Sequence, residues 1–251
     1  MEFKKIVTDN LMKIHSFSFS PLWILAALFV VAQDAPPVFA QAQTTNAAPH
    51  VKFRPPISGT PSVRVTGGSR GTGEALTTLD VLAPDEIGIT TQEQPSLFWY
   101  QSKPATAKFE LTLLEDNKVK PLVQFEIDRS SKAGIQRLKL SEHGAKLAVG
   151  VEYQWVIALV TDPDNRSKDL VASGVIKRID PAADLKEKIA SATPASLPGV
   201  YAEGGIWYDA LSMLSDQIDA HPDDQALRQT RADLLRQVGL KAAANSEIAE
   251  K

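Results

Sequence analysis

Residues 66 to 73 read Thr-Gly-Gly-Ser-Arg-Gly-Thr-Gly. The string fits T-G-x-x-x-G-x-G, a glycine-rich loop that cradles the pyrophosphate of a dinucleotide. That chemistry needs more than the loop: a helix opening at the third glycine inside a βαβ unit, and an acid about 20 positions on. Glu74 to Leu82 has room for barely two helical turns before Pro84, and Asp80 and Asp85 come too early. The Tyr-x-x-x-Lys pair of such dehydrogenases is missing too: Tyr100 and Lys103 have the wrong spacing, and no lysine lies four positions after Tyr153, Tyr201 or Tyr208. No cofactor is expected.

The other chemical candidates thin out in the same way. Asp162, Asp164 and Asp169 crowd the stretch Asp162–Asp169 as in a calcium loop. Arg166, however, stands where a third ligand belongs, Ser173 takes the place of the closing glutamate, and Pro163 and Asn165 are ordinary turn residues. A hairpin loop is the expectation. His50, His143 and His221 share no metal-ligand spacing. No G-x-S-x-G elbow occurs for a serine nucleophile. Glu203 and Asp209 are read on one helix, six positions apart and facing different ways. Glu142 and His143 fall in a turn. No catalytic or metal residue is therefore assigned. What remains is a low-specificity set for partner binding: Tyr201, Trp207 and Tyr208 in the C-terminal part, and Arg70, flanked by glycines.

Composition narrows the setting. The chain of 251 residues is 43% hydrophobic and 23% charged, ordinary for one or two globular domains. Lys4, Lys5 and Lys13 precede an apolar run from Leu22 to Ala32, and Val38-Phe39-Ala40 has the small-residue pattern of a cleavage site. This is the layout of a secretory signal peptide over residues 1–40. The run is too short for a bilayer core, which takes about 20 residues. A start at Met12 would give a more usual basic region. The first 40 residues hold as many acids (Glu2, Asp9, Asp34) as lysines, so cleavage after Ala40 leaves the net charge at −3. No basic surplus points to nucleic acid or an anionic membrane. With no cysteine, disulfides, thiol chemistry and a lipidated N-terminal cysteine are excluded. The expected location is periplasmic or secreted, without stable membrane insertion.

The elements follow from texture. Residues 41–74 are rich in Pro and Gly and read as a linker or an extended arm lying on the domain. Between 75 and 180, short alternating runs separated by turn residues predict seven or eight strands of an antiparallel β-sandwich. Leu97 and Trp99 share a face, as do Phe109, Leu111 and Leu113, and Val151, Tyr153, Trp155, Ile157 and Leu159. Leu147-x-x-Gly150-x-x-Tyr153 has the spacing of a tyrosine corner, which makes the sandwich immunoglobulin-like. Trp155 is expected in the core, the alternative being a surface ring that stacks on sugar. Residues 181–251 read as helical. Ala182–Ala192 and Leu197–Ala220 are helix-compatible, His221–Asp224 breaks the chain, and Gln225–Val238 ends at Gly239. The pair over 197–239 is TPR-like; one copy cannot bury its own face and must dock elsewhere.

Three longer stretches carry a resemblance: residues 68 to 101, 153 to 179 and 201 to 211. The Gly/Arg-rich opening, Ile87-Gly88-Ile89-Thr90-Thr91, the Pro-x-Leu-Phe-Trp strand, D-P-x-x-R-S-x-D at 162–169 and A-x-x-G-I-W-Y-D-A-L at 202–211 resemble the domain of unknown function 928 family. The resemblance covers about residues 65 to 240 and implies an exported bacterial protein; it supplies neither substrate nor active-site residues. The expected function is that of a non-catalytic accessory or interaction protein of the envelope, binding an exported protein or peptide. A carbohydrate-binding module for envelope or surface polysaccharide is the alternative.

Overall fold

The computed structural model describes residues 51–56, 64–68, 77–116, 118–127 and 132–249. The expected signal peptide and Arg70 lie outside the described residues.

The alternating runs form strands. The first sheet holds β1 (Gly67–Gly68), β2 (Thr78–Val81), β4 (Ser96–Gln101) and β7 (Gly134–Lys139), in the order β1-β2-β4-β7. The second holds β3 (Gly88–Thr90), β5 (Lys108–Glu115), β6 (Val123–Ile127), β8 (Glu152–Val160) and β9 (Leu170–Arg178), in the order β3-β9-β8-β5-β6. Every second residue of β5 turns inward, Phe109, Leu111 and Leu113, as the period of a half-buried strand requires. Trp155 is fully buried on β8, opposite Leu113 on one side and Gly174 on the other. The two sheets meet through such residues: the ring of Trp99 on β4 lies 5.8 Å from that of Phe109 on β5.

One edge departs from the expectation. β3 runs parallel to β9, Gly88 facing Ile176 and Thr90 facing Arg178, so the second sheet is mixed rather than antiparallel. A parallel pair needs a long crossover, and here the five strands β4 to β8 lie between the two in sequence. A three-residue strand is too short to show alternation in sequence. At the corner before β8, Tyr153 Oη accepts a 3.1 Å hydrogen bond from the Ala148 amide, five residues upstream. Arg178 donates to Leu147 O at 2.9 Å beside it.

Five helices follow: α1 (Ala183–Ser191), α2 (Leu197–Glu203), α3 (Trp207–Ala220), α4 (Gln225–Gln237) and α5 (Lys241–Ala249). The single helix expected over 197–220 is two, broken at Gly204–Gly205, where Gly205 has φ +77°. The Asp224 side chain caps α4 by accepting from the Ala226 and Leu227 amides. Gly239, at φ +78°, turns the chain beyond that helix. Inside the helical layer a buried ion pair joins three helices. Arg231 of α4 grips Glu247 of α5 with Nε and Nη2, at 2.8 and 2.7 Å, and donates to Ser215 Oγ of α3 at 3.0 Å. Arg137 of β7 reaches Asp216 of α3 at 2.5 Å and lies over the Phe98 ring. Among the described residues no helix is long and apolar enough to cross a membrane.

Candidate functional site

Three consecutive side chains open α3: Trp207, Tyr208 and Asp209. Neighbours on a helix point about 100° apart, so each meets a different element. Trp207 Nε1 donates to Leu82 O, just beyond β2, at 2.8 Å. Tyr208 enters the seam between α3 and the second sheet, where its hydroxyl accepts from Trp155 Nε1 at 2.8 Å and donates to Val175 O at 3.2 Å. Its ring lies flush on β3, because a Cβ at Gly88 would come within 2.5 Å of Tyr208 Cε2. Asp209 faces the end of β3. Thr90 Oγ1 donates to Oδ1 at 2.5 Å, and the Thr91 amide donates to Oδ2 at 3.0 Å, joined there by the Thr91 hydroxyl. The two motifs Ile87–Thr91 and Ala202–Leu211, far apart in sequence, thus meet face to face.

Electrostatics makes this seam a clamp. Asp209 is 3% exposed. Burial pushes its carboxyl above the usual range, while the hydrogen bonds from Thr90 and Thr91 pull it back. Burial also drives the Tyr208 hydroxyl up, against the bond from Trp155. Tyr201 is raised as well, first by burial and then by the charge of Asp209. Both carboxyl oxygens of Asp209 are engaged by Thr90 and Thr91, so the group holds strand to helix.

This places three of the four candidate residues. Tyr201 is 7% exposed, and Trp207 and Tyr208 are fully buried; their rings fasten helices to sheets. A peptide groove that reached Tyr208 would need α3 to leave the second sheet, and Trp207 is covered on one side by Phe53. Stacking on sugar meets a similar obstacle, since Trp99, Trp155 and Trp207 are each at most 1% exposed. Glu203 and Asp209 fall on different helices, the first exposed and the second buried. The hairpin reading of 162–169 is what joins β8 to β9, with Lys168 Nζ on Asp162 at 2.8 Å and Arg166 Nε on Asp169 at 2.5 Å. Among the described residues no group of three or more His, Asp or Glu is placed to hold a metal. His143 stacks on Phe125, centroids 3.9 Å apart, and His221 ends α3. In the glycine-rich loop, Gly67–Gly68 pair antiparallel with β2, the reverse of a βαβ unit.

The open surfaces lie around α1, which buries no residue and packs through Leu185 and Ile189 alone among its apolar side chains. A cleft of about 340 Å³ is lined by Arg54, Asp184, Leu185, Lys188, Val200 and Glu203. A second, of about 330 Å³, lies between the connection after α1 and α3, walled by Pro194, Leu197, Met213, Ala220 and His221. Sequence reasoning also passed over Val51 and Phe53, which are buried against the helices; Phe53 meets the Trp207 ring edge-on at 5.0 Å. The signal was there, a short apolar alternation inside a Pro-rich stretch, too brief to outweigh its surroundings.

The family model for the Domain of Unknown Function DUF928 matches residues 65–248. The chain belongs to the DUF928 family. No curated protein matches it. The DUF928 match takes in the whole seam, from β3 to the first turn of α3, and both walls of the second cleft. It begins after Val51–Pro56, so the arm against the helices lies outside the matched stretch.

Proposed function

We propose that this DUF928 chain is an exported, non-catalytic interaction protein of the bacterial envelope, and that it binds a protein or peptide partner on its helical layer. The supporting observation is the surface around α1, a helix with no buried residue: a cleft of about 340 Å³ lies between it and α2, and one of about 330 Å³ opens beyond its C-terminus, between Ala192–Leu197 and α3. The second cleft is mostly apolar and edged by Asp216 and His221, whereas Arg54, Asp184, Lys188 and Glu203 make the first one charged. On this reading the paired sheets are an immunoglobulin-like sandwich, for which the Tyr153–Ala148 bond argues. They serve as the rigid base, and the α3–α4 pair around His221–Asp224 is a TPR-like element docked on it. The signal peptide would deliver the chain to the periplasm or beyond.

Leu185→Asp and Met213→Glu each place a charge in one cleft without touching the seam. Periplasmic cross-linking with the wild-type chain should trap a defined partner, and at least one of the two variants should lose it while melting like the wild type. A chain that stays an uncross-linked monomer under several growth conditions, or a partner retained by both variants, would count against the proposal.

A further inference from the structure

Val51 to Pro56 lie across the helices as a bound peptide would. Burial alternates, with Val51 and Phe53 buried and Lys52 and Arg54 exposed, the pattern of an extended segment. Both edges of its backbone are read. On one side Gln237 of α4 uses its amide as a fork, Oε1 accepting from the Phe53 amide and Nε2 donating to Val51 O, each at 2.8 Å. On the other side the Arg54 amide donates to Ala202 O of α2 at 3.0 Å. The floor is Gly205: a Cβ there would stand 2.9 Å from Arg54 O, so only glycine lets the segment lie this close. The Trp207 ring walls the position of Phe53. Arg54 then points into the cleft that it shares with Asp184 and Glu203.

We infer that this groove between α2 and α4 is a recognition site for an extended peptide of the pattern apolar–any–aromatic–basic, and that the chain's own Val51–Arg54 is its resident occupant, displaced when a partner strand of that pattern binds. Main-chain bonds supply affinity in such a site, and pockets for alternate side chains supply specificity. The Gln237 amide reads backbone and not side chain, as a site for exchangeable segments requires. Among the other charges that line the cleft beside Arg54, the acids Asp184 and Glu203 outnumber Lys188, which favours a basic residue after the aromatic one. Only two side chains of the segment are buried, so releasing it removes one edge contact from Trp207 and leaves the hydrogen bonds of the seam in place. The inference rests on the reading of the chain as a binding protein and adds a site and a sequence preference to it.

The test uses the full chain carrying Val51→Ala and Phe53→Ala, which empties both pockets, and a fluorescein-labelled peptide spanning residues 48–58. A tethered segment competes at an effective concentration in the millimolar range. The variant should therefore bind the peptide saturably and at least about tenfold more tightly than the wild type does. Binding should weaken about tenfold when Gln237→Ala is added, the expected loss for a two-bond contact, and should vanish for a peptide with alanine at the Phe53 position. Absence of saturable binding by a variant that melts cooperatively overturns the inference. Should that variant not fold, hydrogen exchange on the wild type decides. The Phe53 amide is expected to exchange by local opening, well before core amides such as that of Trp155. If it exchanges only with global unfolding, the segment is a fixed part of the fold and the inference falls. A partner trapped through the α1 clefts alongside a peptide that never binds would sink this site and spare the broader reading.

Discussion

The α3 seam and the 162–169 hairpin carry similar densities of polar contacts and do opposite things with them. In the seam, Asp209, Tyr208 and Trp207 each spend their hydrogen bonds on another element, at 3% exposure or less. In the hairpin, Lys168–Asp162, Arg166–Asp169 and Ser167–Asn165 bond within one loop, and Arg166 reaches out only to Glu110 of the neighbouring strand. Water can replace the Lys168–Asp162 and Ser167–Asn165 contacts one for one, while the Asp169 side chain, 5% exposed, is shielded from it. It cannot reach the seam, where every lost partner strands a buried polar atom. A dense set of polar side chains therefore says little by itself; burial decides whether the set holds the fold or decorates it.

The sharpest way to break the comparison is Trp207→Ala. It removes a fully buried indole, leaves Leu82 O without its donor and takes the edge contact from Phe53. A loss of about 3–5 kcal/mol is expected in urea unfolding, and the arm should become protease-sensitive as well. A loss under about 1 kcal/mol would mean that α3 does not depend on this seam.

Sequence carried the seam's parts but not their meeting. The strands Lys108–Glu115 and Glu152–Val160 were legible because their alternation is long, and Tyr153 because its corner is local. Asp224 and Gly239 marked the ends of α4 for the same reason. Thr90 and Asp209 lie 119 positions apart, and no short-range pattern ties a threonine at a strand end to an acid on a helix. The break at Gly204–Gly205 was masked by an apolar stripe that continues from Ile206 to Ile218 on the expected period. Val51 and Phe53 were hidden by composition: prolines and glycines around them reported a linker or an extended arm without marking which residues dock, while Gln237, which holds them, lies 184 positions after Phe53.

Asp209 gives the second test. Asp209→Ala orphans the Thr91 amide and two hydroxyls, an expected cost of about 2–3 kcal/mol. Its pH dependence sharpens the contrast. Because burial raises the folded carboxyl above its unfolded value near about 3.9, the native state keeps a proton that the unfolded chain has lost. The contribution is thus full below about pH 4 and declines as pH rises through the folded value. Subtracting the stability curve of Asp209→Asn from that of the wild type should show that decline. A difference that grows with pH would mean the threonine hydroxyls outweigh burial and the carboxylate is held ionised.

Gly88→Ala should come next in size. The added methyl lands 2.5 Å from the Tyr208 ring, so ring or strand must shift, at about 1–3 kcal/mol. Joined with Tyr208→Leu, whose shorter side chain vacates that space, the cost of the methyl should shrink. Double-mutant analysis of chemical denaturation measures this coupling, and additivity would deny that the two residues share the site.

Lys168→Ala lies at the other end of the comparison. It removes the ammonium on Asp162, the bond that lowers that carboxyl, and leaves the carboxylate in water. The lysine loses nothing that solvent does not return, since immobilising a long side chain costs entropy and salt screens what remains. The thermal midpoint at physiological salt should therefore match the wild type within error. A drop that persists at high salt would show Asp162–Asp169 to be a cooperative scaffold after all, and the distinction between buried clamp and solvated loop would have to be drawn elsewhere.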